Sequence, residues 1–451
     1  MKRVHMVGIG GAGMEALARL LVDLGYRVSG SDAAPGPGVT DLRQSGVPVR
    51  VGHDASQVEG ADLLVHSAAV DEENCERRAA ARLGIEQWSR ARALGAVSGA
   101  CCTVAVAGTH GKTTTASLIV GALRCAGHEP RVAIGGWMGG RPQPTARSGD
   151  LLVVEADEYR RAFHELEPWI SVVTNIEMEH VDCFDGRDEL VEAFGVFVSR
   201  CRRGGGVAVN GDDELCRAAA LQSRADVSLT YGFGPSCQVR AEALVPTGTG
   251  SAFAVHLDGE RRQVDLGVPG RHNVSNALAA IAATRLMGLA WEPVSSALRR
   301  FTGVDRRYQS RGEVEGVAIV DDYAHHPTEV SATVATAAAT GRRVTAVFQP
   351  HTYSRTRHFR EAFAESLLNA HRVCVTSVYA ARESPDLGDE GDVIVDDLRR
   401  LGHHRAHFVA EVDLALSRSL AECAAGDLLL VMGAGDIGDH LGDLLKGSGL
   451  R

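Results

Sequence analysis

The sequence predicts an α/β protein of three domains: a Rossmann-like unit, a P-loop unit and a third α/β unit. Three observations carry this. At 451 residues and roughly 150 residues per domain, about three domains are expected. Short apolar runs alternate with segments of helical period along most of the chain, the pattern of parallel sheets. Two of those runs lead into glycine-rich turns that open helices, the signature of phosphate-binding turns in such sheets.

Residues 1 to about 96 form the first unit: RVHMVGIG is a strand, Gly10 to Gly25 has helical spacing, YRVSGSD is a second strand and DLLVHSAAV a later one. The second unit, 97–305, begins with CTVAVAG and its loop and continues through LLVVEAD and ISVVTNI. It then becomes less regular and β-rich over about 227–268. Alternation resumes in the third unit, 306–451, with GVAIVDDY, RRVTAVFQP, HRVCVTSVY and DLLLVMGAG.

Composition narrows the function classes. Net charge is 47 − 57 = −10 with no basic stripe, so no nucleic-acid partner is expected. The apolar run Gly95–Gly108 is too short to span a bilayer, and the run from Ala277 is broken by Arg285, so no membrane role is expected. The opening MKRVHMVGIGGAG enters a strand and turn at once, so no signal peptide is expected. Ten cysteines without a CxxC pair argue against zinc and against a disulfide scaffold, and a reducing cytoplasm fits best. Lysine occurs only at positions 2, 112 and 446. In so lysine-poor a chain, the ammonium of Lys112 marks a position where a compact point charge is wanted.

Lys112 lies in AVAGTHGKTTT, residues 105–115. A strand runs into Gly108, Thr109, His110, Gly111, Lys112, Thr113 and Thr114, and a helix follows. Main-chain amides of such a loop point at phosphate oxygens, Lys112 would reach the β- and γ-phosphates, and the Thr113 hydroxyl would ligate Mg²⁺. The loop is shorter than the usual P-loop, because Val106 stands where the first glycine would be. Such a loop needs an acidic partner. Glu155 follows an apolar strand, with Asp157 and Glu158 close behind. Beyond the next strand come Asn175, Glu177, His180 and Asp182; His180 would ligate a second Mg²⁺ or act on a proton.

Gly8, Gly10 and Gly13 form GxGxxG between a strand and a helix, and Asp32 ends the next strand. This fingerprint puts a diphosphate on a helix N-terminus and an acid near a ribose. It does not separate a nicotinamide cofactor from a UDP-sugar. An added Gly11 suits close backbone approach.

Together these residues resemble the Mur ligases, and among them the alanine-adding type. The resemblance rests on GIGGAGM (8–14), SGSD (29–32), AGTHGKTTT (107–115), VVEADE (153–158), VVTNIEMEHVD (172–182), VPGRHNVSNALAA (268–280), VDDYAHHPTEV (320–330), QPHTYSRTR (349–357), YAARE (379–383) and GAGDI (433–437). It implies an N-terminal Rossmann-like UDP-binding domain, a central P-loop ATPase and a C-terminal Rossmann-like domain. It also implies ATP-dependent ligation of L-alanine to the carboxylate of UDP-N-acetylmuramate through an acyl phosphate, in peptidoglycan precursor synthesis, by a monomer or homodimer.

The resemblance assigns Mg²⁺ to Thr113, Glu155 and His180. It assigns the nucleotide to the 108–114 loop, His272, Asn273, Asn276 and Asp322. It assigns the sugar substrate and amine to Gly10, Gly11, Gly13, Asp32, Ser67, Tyr323, His325, His351 and Arg355. Lys112, His180, His325 and Arg355 would be catalytic. The residues alone leave room for plainer readings: a capped helix at Arg271–Asn273, a polar turn at 321–327, a solvated basic face at Arg355 and Arg357. Cys75, Arg92 and Thr352 depart from residues frequent in the family. No lysine lies between 113 and 445, so the carbamylated lysine of several Mur ligases has no counterpart here, which favours the alanine-adding type. The rivals are a murein peptide ligase taking a tripeptide, a nicotinamide-dependent oxidoreductase and a non-catalytic nucleotide-binding protein.

Overall fold

The computed structural model describes residues 2–143, 149–179, 183–381, 383–384 and 391–447. The chain forms two compact units. One comprises residues 1–244, 252–267 and 273–301; the other comprises 245–251, 268–272 and 302–451.

The first unit holds two sheets. One is built from β1 (Arg3–Val7), β2 (Arg27–Asp32), β3 (Val49–Val51), β4 (Leu63–His66) and β5 (Glu86–Ser89) in the order β3-β2-β1-β4-β5, all parallel. Strand order reverses beside β1, and a ligand crevice opens at such a point beyond the strand C-termini. Helices α1 (Ala12–Asp23), α2 (Pro37–Gln44) and α3 (Cys75–Leu83) complete the crossovers. α3 begins where Asn74 accepts from the amides of Glu76 (2.9 Å) and Arg77 (3.3 Å), and it ends at Gly84 with φ +66°, an ordinary start and stop. Helix α4 (Arg90–Ala100) leads into the second sheet, so residue 96 lies within a helix.

The second sheet runs β16-β15-β14-β13-β12-β11-β6-β10-β7. Its strands are β6 (Cys102–Ala107), β7 (Arg131–Ala133), β10 (Leu151–Glu155), β11 (Ile170–Val173), β12 (Gly206–Asn210), β13 (Val227–Gly232), β14 (Val239–Thr247), β15 (Gly250–Leu257) and β16 (Glu260–Leu266), with a small hairpin of β8 (Trp137–Met138) and β9 (Arg141–Pro142) in the connection from β7 to β10. From β7 to β14 neighbouring strands are parallel. The less regular 227–268 stretch therefore extends this same sheet. β6 and β11 are buried along almost their whole length, which is why they read as unbroken apolar runs. Helices α5 (Lys112–Cys125), α6 (Arg187–Ser199), α7 (Glu214–Ala220), α8 (Arg271–Leu286) and α9 (Trp291–Arg300) belong to this part of the sequence.

The second unit carries the sheet β17-β18-β22-β19-β20-β21. β17 (Gln309–Val314) is an antiparallel edge on β18 (Val317–Asp322); β22 (Leu428–Met432), β19 (Val344–Phe348), β20 (Arg372–Val375) and β21 (Ala406–Phe408) continue in parallel. Helices α10 (Pro327–Ala338), α11 (Tyr353–His358), α12 (Arg360–Leu367), α13 (Gly391–Arg400), α14 (Val412–Ala421) and α15 (Ile437–Gly447) cover its faces over two apolar clusters centred on Phe348 and Leu429. Among the described residues no helix is long and apolar enough to cross a membrane.

Candidate functional site

Between β6 and α5 the chain turns through Gly108, with φ +137°, and Gly111, with φ +79°. Side chains are excluded at both. A Cβ on Gly108 would collide with Thr174 Oγ1, and one on Gly111 with the Asn276 amide. Gly111 caps α5 with no side-chain bond, and first-turn amides of a helix lack intrahelical acceptors and are suited to an anion. The loop is clamped by the segment after β11. The Thr109 amide donates to Asn175 O (3.0 Å), the His110 amide to Asn175 Oδ1 (2.8 Å), and Asn175 Nδ2 to His110 O (3.1 Å). Thr174 Oγ1 donates to His110 O at 2.5 Å, and the Glu177 amide to Thr109 Oγ1 at 2.9 Å. The sequence marked Asn175 and Glu177 only as polar residues past a strand; their partners lie some sixty-five positions away, which no local pattern encodes. Buried Asn276 accepts from Thr115 Oγ1 (3.4 Å) and donates to Asn273 Oδ1 (3.3 Å), so the two asparagines expected at the nucleotide support the loop.

The Lys112 ammonium donates to Gly108 O (2.5 Å), Thr109 O (3.1 Å) and both oxygens of Glu158 (2.9 and 3.1 Å). A partly buried ammonium is stabilised by an anion, and Glu158, 2% exposed, supplies it. Burial works against the lysine charge, but the carboxylates of Glu158, Asp157 and Glu155 outweigh it and raise the pKa. Glu155 ends β10 beside Val106 of β6, so it stands next to the strand that feeds the loop, and Thr113 occupies the first turn of α5. One hydroxyl and one carboxylate are oxygen donors of the kind Mg²⁺ takes. His180, expected as their partner, lies outside the described residues, as does Asp182.

The turn after β1 is held by Ser31 O, which accepts from the Gly8 (2.9 Å) and Ile9 (3.0 Å) amides, and by Asp32 Oδ2, which accepts from the Gly10 amide at 2.8 Å. A Gly8 Cβ would lie 3.1 Å from Ser67 Cβ, and Gly11 caps α1 without a side-chain bond. Gly10, Gly11, Gly13, Asp32 and Ser67 thus meet at one edge of the first sheet. Asp32, expected at a ribose, is committed in part to its own turn. Arg90, to which the sequence alone assigns no role, belongs here as well. Its guanidinium would be 2.8 Å from a Gly13 Cβ, and it donates to Asp157 Oδ2 at 2.8 Å. Behind the turn, Glu76 is fully buried. It accepts from Ser31 Oγ (2.7 Å) and the Asp54 amide (3.1 Å) and lies 3.1 Å from His5 Nε2. Burial raises its pKa, but those bonds win and hold it below the usual carboxylate value.

In the second unit, Asp322 accepts from the amides of Ala324 (2.7 Å) and Tyr308 (2.8 Å) and from Thr333 Oγ1 (3.1 Å), and burial pushes its pKa up to about 6. Arg306 and Arg307 flank the Tyr323 ring at 5.0 and 4.9 Å. The ring of His325 lies 5.4 Å from Tyr323 and 5.9 Å from His351, and His351 stacks on Tyr379. Arg355 Nη1 is 3.0 Å from His351 Nδ1. Tyr323, His325, His351 and Arg355 are therefore one cluster, as expected, with Tyr379 as an unforeseen member. His325 Nδ1 lies 2.9 Å from Tyr323 O, which favours the tautomer protonated there. His272 loses basicity by burial, to about 4, so it is neutral at physiological pH.

The chain matches the profile of the Mur ligase family catalytic domain over residues 3–100, the Mur ligase middle domain over 106–284 and the Mur ligase glutamate ligase domain over 306–435. It is 39% identical to a UDP-N-acetylmuramate–L-alanine ligase of Syntrophobacter fumaroxidans, with 99% of this chain and 97% of the relative aligned. It is 43% identical to the enzyme of that name from Kineococcus radiotolerans, over 96% and 94%. Among solved structures it is similar to a UDP-N-acetylmuramate-alanine ligase of Thermotoga maritima, with TM-score 0.83, 28% identity and 99% of each chain covered. It is also similar to a murein peptide ligase of Psychrobacter arcticus, with TM-score 0.73, 25% identity and 100% and 99% covered. Three matched domains in sequence order and relatives aligned almost end to end lead to one conclusion: the chain belongs to the Mur ligase family.

Proposed function

We propose that this protein uses ATP to join L-alanine to the carboxylate of UDP-N-acetylmuramate in peptidoglycan precursor synthesis. The observation that carries the reading is the loop 108–114, with two glycines that exclude side chains, a helix start with no side-chain cap and Lys112 ion-paired to Glu158. The amides and Lys112 hold the phosphates of ATP and offset the charge that spreads over the transferred phosphoryl group. The muramate carboxylate attacks the γ-phosphorus, ADP leaves, and an acyl phosphate forms on the sugar acid. The neutral amine of alanine then attacks the acyl carbon and phosphate departs. Thr113, Glu155 and His180 would hold Mg²⁺, which supplies charge neutralisation when bound. The turn at Gly10, Gly11 and Gly13, with Asp32 and Ser67, takes the UDP moiety. Tyr323, His325, His351 and Arg355 serve the carboxylate and the amine, His272 and Asp322 the nucleotide.

We take the domains as 1–96, 97–305 and 306–451, the working unit as a monomer or homodimer, and the compartment as cytoplasmic, consistent with ten cysteines all in thiol form. ADP release assayed with UDP-N-acetylmuramate against a panel of amines tests the reading. L-alanine should support turnover, and Lys112→Ala should lower kcat at least about 10²–10³-fold. Turnover with a tripeptide but not alanine would favour the murein peptide ligase, whose solved example also aligns along the whole chain. Near-normal kinetics in Lys112→Ala would remove the reading altogether.

A further inference from the structure

Three carboxylates follow β10, and the structure gives them different partners. Glu155 stands at the strand end beside β6. Asp157 accepts from Arg90. Glu158 is turned inward, 2% exposed, with both oxygens on the Lys112 ammonium. That arrangement places a negative group on the very ammonium that a phosphate binder must present to its ligand. A fully charged Lys112 against two loop carbonyls also holds the loop in shape, because the carbonyls of Gly108 and Thr109 converge on it.

We infer that Glu158 is a positioning residue and an internal stand-in for phosphate: it holds the Lys112 ammonium on the loop before nucleotide arrives, and nucleotide must displace it. This rests on the ATP-binding reading of the loop. Glu158 does not touch reacting atoms; it acts through Lys112. A stand-in of this kind keeps the partly buried ammonium and the buried carboxylate paired in the nucleotide-free protein, where leaving one partner alone is costly. In exchange it weakens nucleotide binding, since the incoming phosphate replaces one anion by another rather than meeting a bare cation. A cation already aimed and desolvated also needs no rearrangement when charge develops on the transferred phosphoryl group.

The test is the affinity of the full chain for ADP and a non-hydrolysable ATP analogue by calorimetry, in the parent, Glu158→Gln and Glu158→Asp. Removing a charged competitor should tighten nucleotide binding in Glu158→Gln about 10-fold or more, while kcat falls, so KM and kcat drop together. Glu158→Asp keeps the charge and should stay near the parent affinity. The melting-temperature rise on adding analogue should be larger in Glu158→Gln than in the parent; a purely structural role would lower both temperatures equally. If Glu158→Gln does not fold, Lys112→Met/Glu158→Gln, which removes both charges, should fold and melt above Lys112→Met alone. Unchanged or weaker nucleotide affinity in Glu158→Gln overturns the inference. So does a double variant no more stable than Lys112→Met. A parent chain that binds no nucleotide would instead overturn the reading of the loop, and this inference with it.

Discussion

Replacing Gly111 by alanine isolates the geometry of the 108–114 loop, the proposed nucleotide site. Two separate penalties apply. At φ +79° an L-residue with a Cβ is strained by roughly 1–2 kcal/mol. The new Cβ would also overlap Asn276 Oδ1 and lie 3.2 Å from its Cγ, so the amide must move. Asn276 is buried, and moving it breaks its bonds to Thr115 Oγ1 and Asn273 Oδ1, at about 1 kcal/mol each. The sum is about 3–4 kcal/mol. Measured by urea unfolding, Gly111→Ala should lose about that much, and its KM for ATP should rise because the first-turn amides shift. The cycle with Asn276→Ala separates the parts. The double variant frees the space the Cβ needs, so its loss should be smaller than the sum of the single losses by about 1–2 kcal/mol, the coupling expected of touching residues. A Gly111→Ala variant within about 0.5 kcal/mol of the parent, the range of an ordinary surface change, would refute the reasoning. Strict additivity in the cycle would refute its steric half.

Other consequences are equally measurable. Cys75 occupies the first position of α3 after Asn74 at φ −54°, ψ +132°, a conformation that precedes proline readily; Cys75→Pro should stabilise the protein by about 0.4–1 kcal/mol in thermal unfolding. Glu76→Ala should cost about 3–5 kcal/mol, because it strands Ser31, the Asp54 amide and His5 around a buried hole, and circular-dichroism melting would show it. His272 has a folded-state pKa depressed to about 4, so the unfolded chain binds its proton first as pH falls. The stability present above about pH 6.5 is lost on acidification toward pH 4, by at most about 3 kcal/mol. Asp322, raised to about 6, works in the opposite direction: its contribution is full below about pH 4 and is lost as pH rises through 6. The difference in unfolding free energy between the parent and His272→Gln across pH 4–7 therefore isolates the histidine; a flat difference would contradict its lowered basicity. Arg90→Lys loses the planar fork at Gly13 and should raise the KM for UDP-N-acetylmuramate about 10-fold with little change in the KM for ATP, read from initial rates.

What the sequence could show follows from how far apart the partners are. Strand-loop-helix order around Gly108–Thr113 and around Gly8–Gly13 is local, and both loops stand where their spacing put them. The strand order around β6 is not local, but a parallel sheet with its glycine loop between two neighbouring strands follows from the alternation of apolar runs. The clamp of Thr174 and Asn175 on the loop was invisible, because nothing in TNI says which distant carbonyls it will meet. Arg90 looked like any arginine at a helix start. In the sequence Glu158 stands with Glu155 and Asp157 as one acidic stretch, and only side-chain direction after the strand separates the three. Thr352 adopts φ +64°, an uncommon conformation for a β-branched residue that no spacing rule anticipates. The chain of rings from His325 through His351 to Tyr379 spans the loops after β18, β19 and β20 of one sheet, and only Tyr323 and His325 at its start sit close enough in sequence to be seen together.

The scarcity of lysine gives the loop a reporter of its own. A protease that cuts after lysine has one bond to attack away from the ends of the chain, Lys112–Thr113, the others following Lys2 and Lys446, and that bond lies at the start of α5 behind an ammonium pinned to Glu158. Cleavage there requires the loop to peel away from β6 and the first helical turn to open. The rate at which native protein splits into two pieces near 112 therefore counts those openings directly, and its slowing by added nucleotide would read out occupancy of the site without any label.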